Sequence, residues 1–427
     1  MHKWHKNGMT SPMHVRNRFS VKAAKRSFLG AGLGCVLAVL ISVSSAHGAG
    51  ARDPAFATWL DGLRVEARKL GVSDATFDAA LGAVEPITRV IELDRKQPEF
   101  TLTFWKYLDG RVTDKRVERG RALLAQHRDL LERVAAKYGV QPQFLVAFWG
   151  LESNFGDYTG VFPVAGAVAT LAYDERRAKF FRAQLLAALE LMERGDISHD
   201  QKGSWAGAMG NTQFIPTTYR DFAVDFDGDN KRDLWGSLPD VFASSANYLS
   251  RSGWKAGQRW GREVRLPEGF DYALASDKIR KTPTEWAALG LTTGSGSPLP
   301  KDEDIKASVV LPAGYNGPAF LAYQNYRSIL IWNRSHLYAI AVGHLADRIS
   351  GMGRFAAKRP ANEQPLSRED IKEIQKRLQA LGFDPGGTDG VIGPMTRSAI
   401  RNFQKGAKLP PDGYADFGLL ERLRGIN

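Results

Sequence analysis

Cysteine is almost absent from this sequence, since Cys35 is the one thiol in 427 residues. An internal disulfide framework and a zinc site built on several cysteines are therefore excluded. An HExxH motif is also missing, and His199, His336 and His344 are isolated residues that we interpret as structural or surface groups. Because no paired histidines are available to bind a catalytic metal, metal-assisted hydrolysis is disfavoured. Stability must come from packing, for which a hydrophobic fraction of 43% over this length is sufficient.

Acidic residues are missing from positions 1–46, which carry seven lysines and arginines and run into the apolar stretch Phe28 to Val43. The small residues Ser44 and Ala46 follow. This order is typical of a secretory signal peptide, so we predict export to the periplasm and cleavage after 1–46. The alternative is a retained membrane helix, but the apolar stretch is shorter than the roughly 20 residues that span a bilayer.

The net charge of +12 suggests a binder of nucleic acid or of another anionic surface. Loss of the signal peptide would leave 51 basic against 46 acidic residues, so most of the excess belongs to the export segment. No basic patch interleaved with aromatic residues stands out in the remainder. Nucleic-acid binding is therefore not expected.

Apolar residues recur at helical spacing through most of the chain, which predicts a mainly α fold. Gly71 and Gly139 are expected to end helices, and longer helices are expected over Gln143 to Leu151, Asp174 to Met192, Asp240 to Leu249 and His336 to Ile349. Between Trp260 and Ile331 the pattern changes to short alternating pieces, Arg262 to Leu266 and Ala307 to Leu311. We predict a small β or irregular insertion there.

The segment 351–365 is polar, rich in glycine and proline and without periodicity, so it is predicted to be a linker after a domain spanning 52–350. Residues 366–424 then form a compact unit. Ser367 and Asp370 resemble a capping box, and the apolar positions that follow predict three short helices. A module of this size is more naturally a binding domain than an enzyme.

Glu152 is the first candidate for chemistry. It follows Phe148 and Trp149 by four and three residues, so its carboxyl should lie beside two aromatic rings on a helix that ends at Gly156. Desolvation there would raise the pKa of Glu152, which suits a carboxylic acid that donates a proton near neutral pH. The alternative is a solvated or capping glutamate in a last helical turn.

Three stretches resemble the B-type lytic murein transglycosylases: 148–156 (FWGLESNFG), 174–178 (DERRA) and 203–216 (GSWAGAMGNTQFIP). Order and spacing match as well, and the resemblance extends over about Arg52 to Ile349. It implies a lysozyme-like α (α+β) catalytic domain with a saccharide groove. In 366–424, the segments LQALGF and DGVIGPMT resemble a peptidoglycan-binding domain of three helices. The alternative is a small three-helix domain that mediates contacts with other proteins.

The resemblance also implies site residues. Glu152 matches the single catalytic acid and base of the family. The matched groove residues are Ser204, Gln213, Tyr248, Asn333 and Tyr338, and, as weaker matches, Tyr107, Arg176 and Arg177. Trp332 and Trp205 stand where some members have tyrosine and phenylalanine respectively. Both keep an aromatic face for a sugar.

The implied reaction needs one carboxylate, whereas most glycosidases use two. Glu152 would cleave the β-1,4 bond between N-acetylmuramic acid and N-acetylglucosamine. The N-acetyl group of the muramic residue would take the place of the second carboxylate, and the product would carry a 1,6-anhydro end. Asp157 is close in sequence but is expected to be exposed. Two alternatives stay open: a muramidase that uses water, and a catalytically silent wall-binding scaffold.

The loop 225–233 (DFDGDNKRD) places acidic side chains at alternate positions, like the start of an EF-hand. Asp225, Asp227 and Asp229 are candidate calcium ligands, and Asp240 could close the loop in place of the usual glutamate. The alternative is a metal-free loop. The reaction itself requires no cofactor. The expected partners are peptidoglycan strands and proteins of wall synthesis or turnover, and the chain is predicted to be a monomer.

Overall fold

The structure is a computed structural model that describes residues 53–95, 102–301, 304–360 and 364–426. The predicted signal peptide and Cys35 lie outside these residues. Within them, we find no helix that combines the length and the apolar character needed to cross a bilayer. The expectation of a mainly α fold is confirmed.

Helices dominate the order of elements. They are α1 (Pro54–Lys69), α2 (Asp74–Leu81), α3 (Thr88–Arg95), α4 (Phe104–Arg111), α5 (Asp114–Gln126), α6 (Arg128–Tyr138), α7 (Pro142–Ser153), α8 (Val164–Tyr173), α9 (Ala178–Glu193), α10 (Pro216–Phe222), α11 (Leu238–Arg251), α12 (Pro283–Ala288), α13 (Gln324–Trp332), α14 (His336–Ile349), α15 (Arg368–Ala380), α16 (Pro394–Gly406) and α17 (Phe417–Arg424). Gly71 and Gly139 end α1 and α6 with left-handed backbones, φ 84° and 74°, as predicted. The helix expected from Asp174 begins later, since Glu175–Arg177 form a 3₁₀ turn before α9.

Two hydrophobic cores organise the helices of 53–350. The first core joins α4 to α7 with α11, α13 and α14, around side chains such as Phe148, Phe242 and Tyr326. The second core joins α1 to α3 with α8 to α10, around side chains such as Phe56 and Leu185. Most of these side chains are fully buried, so their removal from water is the main force that holds each group of helices together.

A four-stranded antiparallel sheet forms the predicted insertion. Its strands are β3 (Gly261–Arg265), β4 (Thr292–Thr293), β5 (Ser308–Val310) and β6 (Ala319–Ala322), in the order β4-β3-β6-β5. The two alternating segments coincide with β3 and β5. Strand β6 shows no alternation of apolar and polar residues, because all four of its residues are buried. A separate two-stranded pair, β1 (Phe162–Pro163) with β2 (Lys202–Gly203), pairs Phe162 with Gly203.

The C-terminal helices α15 to α17 enclose a core of their own. The capping box predicted at Ser367 and Asp370 is present, with both reciprocal hydrogen bonds formed. This module contacts the insertion: the Asp412 carboxylate accepts the Tyr315 N–H at 2.8 Å. Gly314, at φ 70°, lies so close to Tyr414 that a Cβ there would be 2.8 Å from its ring. Glycine therefore permits this approach.

The segment predicted as a linker packs on the preceding domain. The Phe355 ring stacks on His344 with centroids 3.8 Å apart, and the Glu263 carboxylate accepts the N–H groups of Ala356 and Ala357 at 2.6 and 2.7 Å. Burial lowers the pKa of His344 to about 3, so this histidine is neutral and structural. Residues 355–357 are thus held in place rather than extended into solvent.

Candidate active site

The end of α7 fixes the position of Glu152. The helix stops at Ser153, earlier than the predicted Gly156, because Asn154 and Phe155 adopt left-handed backbones at φ 52° and 63°. Phe155 then folds back under the helix against Gly150, where a Cβ would lie 2.7 Å from the phenyl ring. A side chain at Gly150 would displace Phe155, so this glycine shapes the turn after the acid.

Two distant residues hold the Glu152 carboxyl, which is half-buried. The Trp332 indole N–H donates to Oε1 at 2.8 Å, and the Tyr338 hydroxyl donates to the same oxygen. Burial first, and the charge of Glu152 second, raise the pKa of Tyr338 well above its usual value. Tyr338 is therefore neutral at any physiological pH, and its hydroxyl remains a donor.

Trp332 lies at the junction of the two cores and packs against both. Its ring contacts Phe148 of the first core at 4.4 Å between centroids, and Phe214 and Tyr248 at 5.2 and 5.3 Å. These contacts leave the indole little freedom to turn. The sequence analysis noted Trp332 as a departure from the family pattern but did not predict its hydrogen bond to Glu152. The resemblance offered a clue, because the tyrosine that some members have at this position is also a hydrogen-bond donor.

The aromatic neighbours of Glu152 differ from the prediction. Trp149 directs its indole N–H to the Asn211 side chain at 2.7 Å and packs edge-on against Phe242 of the first core. Phe148 contributes to the site by packing on Trp332. The rings whose polar atoms reach the carboxyl thus come from α13 and α14, not from the helix of Glu152.

Ser204 and Gln213 support the loop that leads to α10. Ser204 Oγ accepts the N–H groups of Ala206 and Ala208 at 3.2 and 3.0 Å. Gln213 has a left-handed backbone at φ 49°, and its amide donates to the Gly210 carbonyl at 3.0 Å. Phe214, the next residue, contacts Trp332, so the loop borders the pair Glu152 and Trp332.

The other matched residues lie on α11 (Tyr248), on α4 (Tyr107) and in the turn between α13 and α14 (Asn333). The Tyr248 hydroxyl donates to the Ile331 carbonyl at 3.4 Å, and Asn333 Oδ1 accepts the Ser335 N–H at 3.0 Å at the start of α14, the helix that carries Tyr338. Tyr107 of α4 is near enough to Tyr338 to affect the pKa of its hydroxyl. Tyr248 contacts Trp332, Asn333 directly follows Trp332, and Tyr107 lies near Tyr338, so each is next to one of the two donors to Glu152.

Arg176 and Arg177 form ion pairs instead of contacting the residues around Glu152. Both guanidinium groups pair with Asp94, which is 3% exposed, and Arg176 also donates to the Asp94 backbone carbonyl at 2.9 Å. The Arg177 guanidinium lies over the Phe181 ring at 4.8 Å. These contacts tie α3 to the turn before α9. The predicted groove role of the two arginines stays a prediction.

The acidic loop has the geometry of a candidate cation site. Carboxylate oxygens of Asp225, Asp227 and Asp229 lie within 4.8 Å of one another. Asp240 is fully buried, and its two oxygens accept the N–H groups of Phe226 and Asp233 at 2.7 and 2.9 Å. Burial, with the neighbouring carboxylates as a smaller cause, raises the pKa of Asp240. Three converging carboxylates suit Ca²⁺, while Asp240 anchors the loop through backbone groups.

A mainly α fold with a half-buried glutamate at the junction of two helical cores is the arrangement expected of a lysozyme-like, glycan-cleaving enzyme. Residues 55–347 match the family model described as transglycosylase SLT domain, and residues 367–423 match a putative peptidoglycan binding domain. The chain belongs to the SLT transglycosylase family. It is a peptidoglycan lytic transglycosylase that forms 1,6-anhydro-N-acetylmuramic acid ends.

Three relatives illustrate this similarity. Membrane-bound lytic murein transglycosylase B of Escherichia coli K12 is 33% identical over 254 residues, 57% of this chain and 67% of that protein. SltB3 of Pseudomonas aeruginosa, solved with NAG-anhNAM-pentapeptide, has a TM-score of 0.83 at 51% identity and covers 86% of this chain and 99% of its own. Escherichia coli SLT35, solved with calcium, has a TM-score of 0.59 at 28% identity, with 70% and 93% covered.

Proposed function

We propose that Glu152 is the acid and the base of the lytic transglycosylase reaction. As a neutral acid, Glu152 protonates the glycosidic oxygen while the bond from that oxygen to C1 of N-acetylmuramic acid breaks. The acetamido oxygen of the same sugar stabilises the cation at C1. The Glu152 carboxylate then removes the proton from the C6 hydroxyl, whose oxygen closes on C1. The acid is regenerated, the product is a 1,6-anhydro sugar, and no water is consumed.

The observation that carries this proposal is the pair of donors on one carboxyl oxygen. Trp332 and Tyr338 both donate to Oε1, which has two lone pairs. A neutral Glu152 then carries its proton on Oε2, and we assign proton donation to this oxygen. Asp157, the nearby acid, is exposed and binds Arg119 at 2.8 Å, so it is not arranged as a second catalytic carboxylate.

Product analysis tests the reaction. Digestion of purified peptidoglycan is expected to release muropeptides that are one water lighter than the hydrolytic products and lack a reducing end. Mass spectrometry before and after borohydride reduction measures both properties, because reduction adds two hydrogens only to a reducing end. Reducing muramic acid ends would favour the muramidase alternative and contradict the proposal.

Ser204, Gln213, Tyr248, Asn333 and Tyr107 are proposed to line the sugar groove around Glu152, with Arg176 and Arg177 further along it. The C-terminal module is proposed to hold the enzyme on the wall. We also propose that the enzyme acts as a monomer together with proteins of wall synthesis or turnover.

The periplasm is the proposed location, reached through the signal peptide. Cleavage after Ala46 would give a mature protein that begins at His47. Intact-mass measurement of protein purified from its host is expected to show this loss. A full-length mass in the membrane fraction would instead indicate the retained-helix alternative.

A structural calcium ion at Asp225, Asp227 and Asp229 is also proposed, supported by their spacing and convergence and by the calcium complex of SLT35. Since an ion that binds the folded state alone stabilises it, saturating Ca²⁺ is expected to raise Tm by roughly 2 to 6 °C relative to EGTA. Asp229→Asn should abolish this rise, whereas Asp61→Asn, at an exposed position of α1, should keep it. An unchanged Tm in the wild type would contradict the proposal.

A further inference from the structure

Two arginines meet at the corner between α4 and α5. Arg111 is the last residue of α4, and Arg116 lies in the first turn of α5. No carboxylate in the described part of the chain forms an ion pair with either of them. The contrast with their neighbours is clear: Arg119 pairs with Asp157, and Arg348 and Arg354 pair with Asp114.

This corner concentrates positive charge in a partly desolvated place. Burial, followed by the charge of Arg111, lowers the pKa of Arg116. Arg116 donates to the Arg111 carbonyl at 2.6 Å and to the Asn154 side chain at 3.2 Å, while its Nε is buried without a hydrogen-bond partner. Arg116 therefore holds the corner together, and its charge adds to that of Arg111. Two adjacent cations of this kind are stabilised by an anion.

The corner adjoins the catalytic acid. Asn154, the partner of Arg116, comes two residues after Glu152. The Arg111 guanidinium lies 5.5 Å from the centre of the Tyr107 ring, and its charge affects the pKa of Tyr338, the donor to Glu152. An anionic group bound by Arg111 would thus belong to a substrate whose glycosidic bond lies at Glu152.

The sugar rings of peptidoglycan are uncharged, and its carboxylates are carried by the substituent on N-acetylmuramic acid. We propose that Arg111, supported by Arg116, binds a carboxylate of this substituent, from the stem peptide or, in peptide-free strands, from the lactyl group. The proposal rests on the function proposed above. It gives the active site a means to recognise muramic acid by charge.

The test compares three soluble glycan substrates of equal length: one with free peptide carboxylates, one with the same carboxylates amidated, and one without peptides. The enzymes are the wild type, Arg111→Gln and Arg111→Lys, with Arg128→Gln, an exposed arginine of α6, as the matched control. The readout is kcat/KM for release of anhydro ends, after circular dichroism has shown that each variant is folded.

We expect the wild type to lose roughly tenfold or more in kcat/KM when the peptide carboxylates are amidated. Arg111→Gln should cleave the free and amidated substrates equally, Arg111→Lys should retain part of the preference, and Arg128→Gln should behave as the wild type. If Arg111→Gln is slowed on the peptide-free substrate alone, the lactyl carboxylate is the ligand.

A wild type indifferent to amidation and to peptide removal would overturn the inference, as would an Arg111→Gln variant slowed by the same factor on all three substrates. In either case, anhydro ends would still form, so the proposed reaction would stand. Reducing ends from every substrate would instead contradict the reaction itself.

Discussion

Replacement of Glu152 by glutamine is expected to lower the rate of anhydro-muropeptide release by roughly 10²- to 10⁴-fold. The amide has nearly the size of the carboxyl, and its oxygen can accept the hydrogen bonds of Trp332 and Tyr338. It cannot act as a general acid or remove the proton from the C6 hydroxyl. The fold and the binding of glycan strands should therefore persist while the chemical step is lost.

The matched control is Asp157→Asn, which neutralises the exposed carboxylate that binds Arg119. This variant should retain most of the wild-type rate, because a one-carboxylate reaction does not need it. Initial rates on purified peptidoglycan, with pelleting assays for wall binding, measure both effects. Near wild-type activity in Glu152→Gln would remove the assigned acid, and a comparable loss in Asp157→Asn would indicate a two-carboxylate hydrolase.

Local signals in the sequence were sufficient for much of the fold. The capping box at Ser367 and Asp370, the helix ends at Gly71 and Gly139 and the strand at Arg262 each depend on neighbouring residues, and the structure contains all of them. Such features could be predicted because backbone conformation there follows from propensity, capping and periodicity over a few positions.

Contacts between residues far apart in the sequence could not be predicted from local patterns. Trp332 and Tyr338 follow Glu152 by 180 and 186 residues, so periodicity around the acid could not identify them as its partners. The family resemblance suggested Tyr338 for the groove but not its hydrogen bond. The left-handed turn at Asn154 and Phe155 was also missed, since the preference of glycine for positive φ pointed to Gly156.

Amino-acid composition did not predict the contacts that residues 355–359 make. A polar segment rich in glycine and proline predicts a linker but not its contacts: Arg359 forms two hydrogen bonds of 2.6 Å with Asp109, and Phe355 stacks on His344. The partners of these residues lie on α4 and α14. Their positions depend on the completed fold of the first core, which the linker sequence does not encode.

Trp332→Phe is expected to lower kcat about tenfold with little change in KM, because it removes a donor to the Glu152 carboxyl while a ring remains against Phe148. A hydrogen bond to a carboxylate stabilises the ionised form. Without it, Glu152 remains protonated to higher pH, so the alkaline limb of the pH–rate profile should move upward, by up to about one pH unit. Steady-state rates from pH 4 to 9 on soluble glycan strands measure both effects.

Two further variants separate the lost hydrogen bond from the lost volume. Trp332→Tyr leaves nearly the same gap as Trp332→Phe but supplies a hydroxyl donor, and should recover part of kcat and return the alkaline limb towards its wild-type position. Trp59→Phe, an equal truncation in the second core, should change neither quantity. Equal losses in the phenylalanine and tyrosine variants, with unshifted pH profiles, would show that Trp332 acts through packing alone.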